Sequence, residues 1–295
     1  MKPIHWISLI ILATISGSSF IFTRALAPVL GAIGTADLRL LLAGLSLIIY
    51  ATIIQFDLQW RQSWSLYLSI GIANSGLPFL FYSFAALELP AAYLAIINAS
   101  SPLFGALFSA IWLEDRLTSN KLIGLLMGMV GVGLVSYNGA MDRGLNVAVI
   151  LSIVACVAAA ACYALSGVFI KKKAKHIKPL ALAACSQLAA GILMAPLMGI
   201  EVPPGPFHWT AVFQLLALSL LCSAVAYLIY FRLMAEIGPT RTLTVTFLSP
   251  IAALVVARIF LGEAIKLQMI TGMVIIAAAT LLVNRSSNSA TIPSK

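Results

Sequence analysis

Residues 91–113 read AAYLAIINASSPLFGALFSAIWL, and residues 240–262 read TRTLTVTFLSPIAALVVARIFLG. Each stretch is apolar and long enough to cross the ~30 Å hydrocarbon core of a bilayer as a helix. Each also contains a Ser-Pro step near its middle, and Pro102 and Pro250 lie 148 positions apart. Because proline interrupts a helix, the sequence predicts broken membrane helices at one position of a duplicated chain.

These proline steps also predict where a small molecule would bind. Proline has no N–H, so the carbonyls of Asn98 and Thr246, one turn earlier, lose their helical donors. Irregular backbone inside a bilayer survives only where protein or a water-filled cavity satisfies it. We therefore predict Asn98 and Thr246 as ligand contacts and Pro102 and Pro250 as hinges. The alternatives are that Asn98 makes only a helix-to-helix hydrogen bond and that the prolines only kink packed helices.

The composition is that of an all-α protein embedded in a lipid bilayer. Of 295 residues, 61% are hydrophobic and 9% are charged, and the mean hydropathy is +1.05. These values exclude an ordinary soluble globular domain. Ten predicted spans follow from the apolar windows: 4–22, 33–54, 64–87, 91–113, 119–137, 147–170, 180–200, 209–232, 240–262 and 266–284.

The net charge of +9 does not predict a nucleic-acid partner, because its largest cluster is one short loop. That loop holds Lys171, Lys172, Lys173, Lys175 and Lys178. Basic residues favour the cytoplasmic loops of membrane proteins. With this loop inside, both termini are predicted to be cytoplasmic, and the chain is expected in a bacterial inner membrane.

An offset of 148 residues aligns the two halves of the chain. It pairs Ser101-Pro102 with Ser249-Pro250, Gly124 with Gly272 and Glu88 with Glu236. We predict a first repeat at residues 1–140, a second at 141–286 and a cytoplasmic tail at 287–295. Five spans in each repeat would insert the second repeat upside down relative to the first, around a central cavity.

Several short motifs together resemble the EamA-like branch of the drug/metabolite transporter superfamily. They are Gly17-Ser18-Ser19-Phe20 leading to Arg24, Leu38-Arg39, both Ser-Pro pairs, and Gly262-Glu263 followed by Gly272. The resemblance implies a basket of ten helices, with a cavity lined by the first, third, fourth, sixth, eighth and ninth. Two positions depart from the family pattern: Ser16 stands where a tryptophan is frequent, and Leu113-Glu114 replaces a Gly-Glu pair.

Polar and aromatic side chains on these helices complete the predicted binding site. They are Tyr82, Tyr163, Tyr227, Asn74 and Ser19. Tyrosines offer both an apolar ring and a hydroxyl, which suits small amphipathic solutes. Ordinary packing between helices is the alternative for each of them.

Two further features concern charge and packing. Asp37 and Arg39 fall near the start of a predicted span and are expected at the membrane interface, so no carboxylate is nominated as a proton carrier.

The fifth span is rich in glycine, which predicts close helix contact. Its partner is the tenth span, the same helix of a second copy, or neither of these. Its glycines are Gly124, Gly128, Gly131 and Gly133.

Together these features predict a secondary transporter of small organic metabolites, an exporter of amino acids or related amphipathic compounds that works by alternating access. No G-x-x-x-x-G-K-S/T loop is present, so transport is expected to use a gradient rather than ATP. No cofactor or metal is expected. The alternatives are a flippase for lipid-linked molecules and an intramembrane enzyme. The enzyme is disfavoured because His5, His176 and His208 all lie at span ends or in loops.

Overall fold

The computed structural model describes residues 3–113, 118–144, 146–174, 176–201, 205–206, 208–237 and 245–289. All regular secondary structure in this part of the chain is helical. Seven of its helical stretches are long and apolar enough to cross a membrane. In chain order the helices are α1 (Pro3–Ile53), α2 (Trp60–Ala85), α3 (Ala91–Trp112), α4 (Ser119–Arg143), α5 (Val147–Lys173), α6 (Pro179–Gly199), α7 (209–237), α8 (Val245–Phe260) and α9 (Leu267–Ser289).

Helix α1 consists of two limbs that meet at Gly31. Its 51 residues would measure about 77 Å as a straight helix, more than twice the thickness of a bilayer core. Gly31 has φ 79 and ψ 170, a backbone conformation that favours glycine. We call residues 3–30 the first limb and residues 32–53 the second limb. The sequence predicted a connection over residues 23–32 between the first two spans. In the structure, the helical conformation is interrupted only at Gly31.

Two glutamates from the second half of the chain bind the starts of helices in the first half. The Glu201 carboxylate accepts hydrogen bonds from the N–H groups of Ala32, at 2.9 Å, and Ile33, at 2.6 Å. The Glu263 carboxylate accepts one from Ala91 at 2.9 Å. The first N–H groups of a helix have no helical acceptors, and they lie at the positive end of its dipole. These carboxylates therefore fix the starts of the second limb and of α3.

Helices α2 and α7 each contain a π-helical segment. The segments are Ile72–Gly76 and Ala217–Val225. An offset of 148 places residues 72–76 on 220–224, inside the second segment. The π-helix is rare and commonly marks functional sites. The presence of π-helical segments at matching positions indicates that both halves share this local backbone conformation.

The second limb of α1 packs against α6 through reciprocal contacts. A Cβ atom on Gly44 would lie 2.5 Å from the backbone nitrogen of Leu188. A Cβ atom on Gly191 would lie 2.8 Å from the Leu41 side chain. Gly44 and Gly191 are 147 positions apart, as are Leu41 and Leu188. In each half, the glycine thus packs against the leucine of the other half. The helices approach closely because glycine has no side chain.

Helices α4 and α9 repeat this arrangement. A Cβ atom on Gly124 would lie 2.6 Å from Val283, and one on Gly272 would lie 2.3 Å from Val135. Both pairs obey the 148-residue offset. Gly124 and Gly131 of α4 therefore face the last helix of the same chain, whereas Gly128 faces Leu103 of α3.

This packing predicts different outcomes for two alanine substitutions on α4. Gly124→Ala would bring its Cβ atom within 2.9 Å of the Ala279 carbonyl as well as against Val283, so we expect a loss of about 1–3 kcal/mol in the free energy of unfolding. Gly133→Ala meets nothing within 4 Å, and alanine favours the helix by up to about 1 kcal/mol. Thermal unfolding in detergent measures both variants, and equal melting temperatures would contradict the packing.

Candidate functional site

A buried arginine lies at the centre of the site. Arg39 follows Gly31 by eight residues, which places it about 12 Å along the second limb, and its exposed fraction is 9%. Its Nε donates a hydrogen bond to Ser223 Oγ at 2.9 Å. Its guanidinium lies over the Phe79 ring, 3.7 Å from the ring centroid. Neighbouring helices therefore enclose this residue, which the expectation of an interfacial arginine did not include.

Polar and aromatic side chains from both halves surround the guanidinium. Tyr163 of α5 and Tyr227 of α7 lie within electrostatic range of it. Asn74 Nδ2 lies 3.4 Å from the Tyr227 hydroxyl, at the limit of a hydrogen bond. Asn74, Tyr163 and Tyr227 are all partly accessible. We call this cluster the Arg39 site: Arg39, Asn74, Phe79, Tyr163, Ser223 and Tyr227.

The charge of Arg39 is not neutralised by an acid in the described part of the chain. The ion pairs found there lie elsewhere and join Glu236 to His5 and Arg232. Asp37 is two residues from Arg39, and such residues do not share a helix face. Asp37 itself is fully buried, at 0% exposure, and neither of its carboxylate oxygens has a hydrogen-bond partner. Among the described residues, the Arg39 guanidinium therefore has no carboxylate partner.

A tyrosine connects the Arg39 site to the proline step of α3. The Tyr82 hydroxyl donates to Asn98 Oδ1 at 2.8 Å. Its ring stacks on Tyr163 with centroids 6.2 Å apart and meets Phe20 edge-on at 5.2 Å. Tyr82 is only 3% exposed. Through these contacts Tyr82 orients the side chains of Asn98 and Tyr163, both of which remain partly accessible.

The two proline steps differ in structure. The α-helical runs of α3 are interrupted at residues 99–100, and the Asn98 carbonyl accepts a hydrogen bond from Ser101 Oγ at 2.7 Å. The hydroxyl thus replaces the donor that Pro102 lacks. Helix α8 instead continues through Pro250, and Ser249 Oγ donates to the Val245 carbonyl at 2.9 Å.

The structure brings together five of the seven predicted binding residues. Asn74, Tyr82, Asn98, Tyr163 and Tyr227 form one connected cluster around Arg39. The other two do not join it on the observed contacts. The Ser19 hydroxyl donates to the Ser16 carbonyl of its own helix at 2.7 Å, and the Thr246 side chain lies outside the described part of the structure.

Sequence reasoning did not select Arg39 or Phe79 for the site. A signal for Arg39 was available, since an ionisable residue within a membrane span is a candidate functional residue by default. Its position near the start of an apolar window concealed how deeply the helix is enclosed. Phe79 gave no signal of its own, because phenylalanine is ordinary in a membrane helix.

A family model covers both halves of this fold. The EamA-like transporter family model matches residues 4–137 and again residues 150–285. The boundary between the two matches falls at the α4–α5 connection. The Arg39 site takes residues from both matched segments, with Arg39, Asn74 and Phe79 in the first and the others in the second.

Several known proteins are similar to the chain over most of its length. The uncharacterized transporter YvbV of Bacillus subtilis (strain 168) is 28% identical over 257 residues, covering 86% of this chain and 83% of YvbV. Protein PecM of Dickeya dadantii (strain 3937) is 25% identical, covering 90% and 88%. The threonine/homoserine exporter RhtA of Escherichia coli (strain K12) is 26% identical, covering 96% and 94%.

A solved crystal structure has the same overall fold. It superposes with a TM-score of 0.66 and covers 98% of both chains, at 18% sequence identity. At this identity the likeness concerns the fold alone. The arrangement of helices described above is therefore one that an independent protein also adopts.

The serine beside Pro102 gives a prediction that separates the two proline steps. Ser101→Ala leaves the Asn98 carbonyl without a donor, so we expect a loss of about 1–3 kcal/mol in the free energy of unfolding. Adding Pro102→Ala supplies a backbone N–H for that carbonyl and should recover part of the loss. Ser249→Ala is the matched control, because the Val245 carbonyl keeps the N–H of residue 249 as its helical donor. Equal losses at the two serines, measured by thermal unfolding, would refute this assignment.

Proposed function

The chain belongs to the EamA-like transporter family, and from that premise we propose that it exports amino acids or related small amphipathic metabolites by alternating access. The supporting observation is the Arg39 site, where a buried cation and partly accessible polar groups lie between helices of both matched segments. Its similar proteins are transporters and not enzymes, so an intramembrane enzyme is no longer a candidate.

The proposed topology has ten spans in two inverted halves. Seven stretches qualify as spans, and two shorter apolar helices follow at Leu248–Phe260 and Leu267–Val283. The first stretch counts twice because α1 is divided at Gly31. Five spans then fall in residues 1–140 and five in 141–286. The reciprocal glycine contacts and the paired π segments support this two-fold relation between the halves.

This topology gives each loop a side of the membrane. With the loop of Lys171, Lys172 and Lys173 in the cytoplasm, both termini and the tail at 287–295 are cytoplasmic. The chain would then cross a bacterial inner membrane with Glu201 and Glu263 on the opposite side. Their bonds to the starts of the second limb and of α3 would hold the two halves together at that end.

Alternating access follows when the two halves rock against each other around a shared site. The Arg39 site meets this requirement, since Arg39 comes from the first half and its partner Ser223 comes from the second. Pro102 and Pro250 are the proposed hinges. The interruption of α3 beside Asn98 would let the bend reach a residue that contacts the substrate.

The substrate class rests on the chemistry of the site and on its relatives. A cation, an amide and several aromatic rings suit a small zwitterion that also carries an apolar or hydroxyl side chain. RhtA is a threonine/homoserine exporter at 26% identity. Amino acids of similar size are therefore the first substrates to test.

Efflux from proteoliposomes tests this function. Vesicles preloaded with a panel of radiolabelled amino acids, including threonine and homoserine, should release at least one of them faster with protein than without. Asn98→Ala should slow that release by about 2- to 10-fold, because one hydrogen bond is worth about 0.5–1.5 kcal/mol. Asn120→Ala, at an exposed position of α4, should leave the rate unchanged.

Two results would overturn the proposal. One is unchanged leak for every amino acid in the panel. The other is transfer of a fluorescent lipid-linked molecule between leaflets with no amino-acid efflux, which would identify a flippase on the same fold.

A further inference from the structure

We propose that Arg39 binds the carboxylate of the transported molecule, so that the protein selects small monocarboxylates over their esters and over the corresponding alcohols. This inference rests on the proposed function and names the chemical group that the site recognises. In this proposal the ionic partner of the Arg39 guanidinium is the substrate carboxylate rather than an acidic side chain of the protein.

The hydrogen-bonding capacity of Arg39 supports this role. A guanidinium has five N–H donors in a planar fork that matches a carboxylate. Among the described residues, only the Nε of Arg39 donates a hydrogen bond, at 2.9 Å to Ser223 Oγ. Its two Nη groups have no acceptor in the described part of the chain. They offer four N–H donors to a ligand from a side chain that is nine-tenths buried.

The charge balance of the site also favours an anionic ligand. A cation held inside the bilayer is costly unless something compensates it. The face of Phe79, 3.7 Å from the guanidinium carbon, and the Ser223 hydroxyl compensate only partly. Asp37 cannot help, because residues two apart on a helix do not share a face. An incoming carboxylate would supply the missing negative charge and two oxygen acceptors.

The repeat provides this cation only once. The contacts of Gly44 with Leu188 and of Gly191 with Leu41 fix the offset between the second limb and α6 at 147. At that offset Arg39 corresponds to Ser186, a neutral residue. The proposed two-fold relation therefore breaks at the charge, and the Arg39 site offers one guanidinium to one carboxylate rather than a symmetrical pair.

The surroundings of Arg39 indicate what the rest of the ligand resembles. Phe79 already has the guanidinium on one face. Tyr163 and Tyr227 are partly accessible, and their rings offer apolar surface to a side chain. The Asn98 Nδ2 group has no acceptor in the described residues and can donate to a hydroxyl or carbonyl. The site thus fits a monocarboxylate with a short apolar or hydroxylated side chain.

A competition assay on purified protein tests the assignment. Each amino acid from the efflux panel is paired with its methyl ester and its amino alcohol, which keep the side chain and amine but lack the carboxylate. Binding to the detergent-solubilised protein is measured by calorimetry, and efflux is measured in proteoliposomes. We expect the free acid to bind at least about tenfold more tightly than either analogue, since hydrogen bonds to a charged group are worth about 1.5–3 kcal/mol.

Two Arg39 variants localise this discrimination. Arg39→Gln should abolish the preference for the acid and raise its dissociation constant by about 10- to 100-fold. Arg39→Lys keeps the charge but loses the planar fork, so it should retain only part of the preference. Arg61→Gln removes an exposed arginine at the start of α2 and is the matched control. Thermal unfolding confirms that each variant is folded.

The possible results separate this inference from the proposed function. If the native protein neither binds nor releases any amino acid, the proposed function and this inference both fail. If it transports amino acids but treats acids and esters alike, only the role of Arg39 is refuted. The role of Arg39 is also refuted if Arg39→Gln still prefers the acid to the ester. It is refuted as well if added chloride removes this preference equally from the native protein and from both Arg39 variants. Should Arg39→Gln not fold, the acid-to-ester ratio in Arg39→Lys decides the matter.

Discussion

The burial of the Arg39 guanidinium is the constraint on which the functional part of this structure depends. A bilayer offers no water to solvate a charge, so the helices around it must provide the solvation. Ser223 Oγ accepts a hydrogen bond from Arg39 Nε, the face of the Phe79 ring lies against the guanidinium, and two tyrosines lie nearby. These groups come from α2, α5 and α7, and the arginine itself lies on α1. One charge therefore requires both halves of the chain to meet at one point.

Glycine makes that meeting possible. The second limb of α1 reaches α6 only because Gly44 and Gly191 have no side chains to separate the backbones. Helices α4 and α9 use Gly124 and Gly272 in the same way. In a membrane such close approach provides the dispersion contacts that the hydrophobic effect does not supply. The second limb of α1 thus combines close packing against α6 with polar contacts at the Arg39 site, whereas the contact between α4 and α9 described here is packing alone.

The fold and most of the site were accessible from the sequence for identifiable physical reasons. Long apolar windows predicted helices, and the family resemblance is confirmed by the match to both halves. The same resemblance placed Tyr82, Tyr163 and Tyr227 together.

Side-chain geometry could not be predicted from the sequence in this way. Ser19 turns its hydroxyl back to its own helix, a choice of rotamer that sequence spacing does not determine. Likewise Pro102 accompanies an interrupted helix and Pro250 a continuous one, although the dipeptides are identical. The depth of Arg39 depends on where Gly31 ends the first limb and on which helices cover it, and both are tertiary properties.

A structure of the protein with a transported amino acid bound tests the central claim most directly. Either a crystal structure or a cryo-electron microscopy reconstruction would serve, with a bromine-labelled amino acid to fix the orientation of the ligand in the crystal. We expect the carboxylate to lie within hydrogen-bonding distance of both Nη atoms of Arg39, with the labelled side chain against Tyr163 or Tyr227. A bound amino acid whose carboxylate contacts other groups, with Arg39 still bonded only to Ser223, would contradict it.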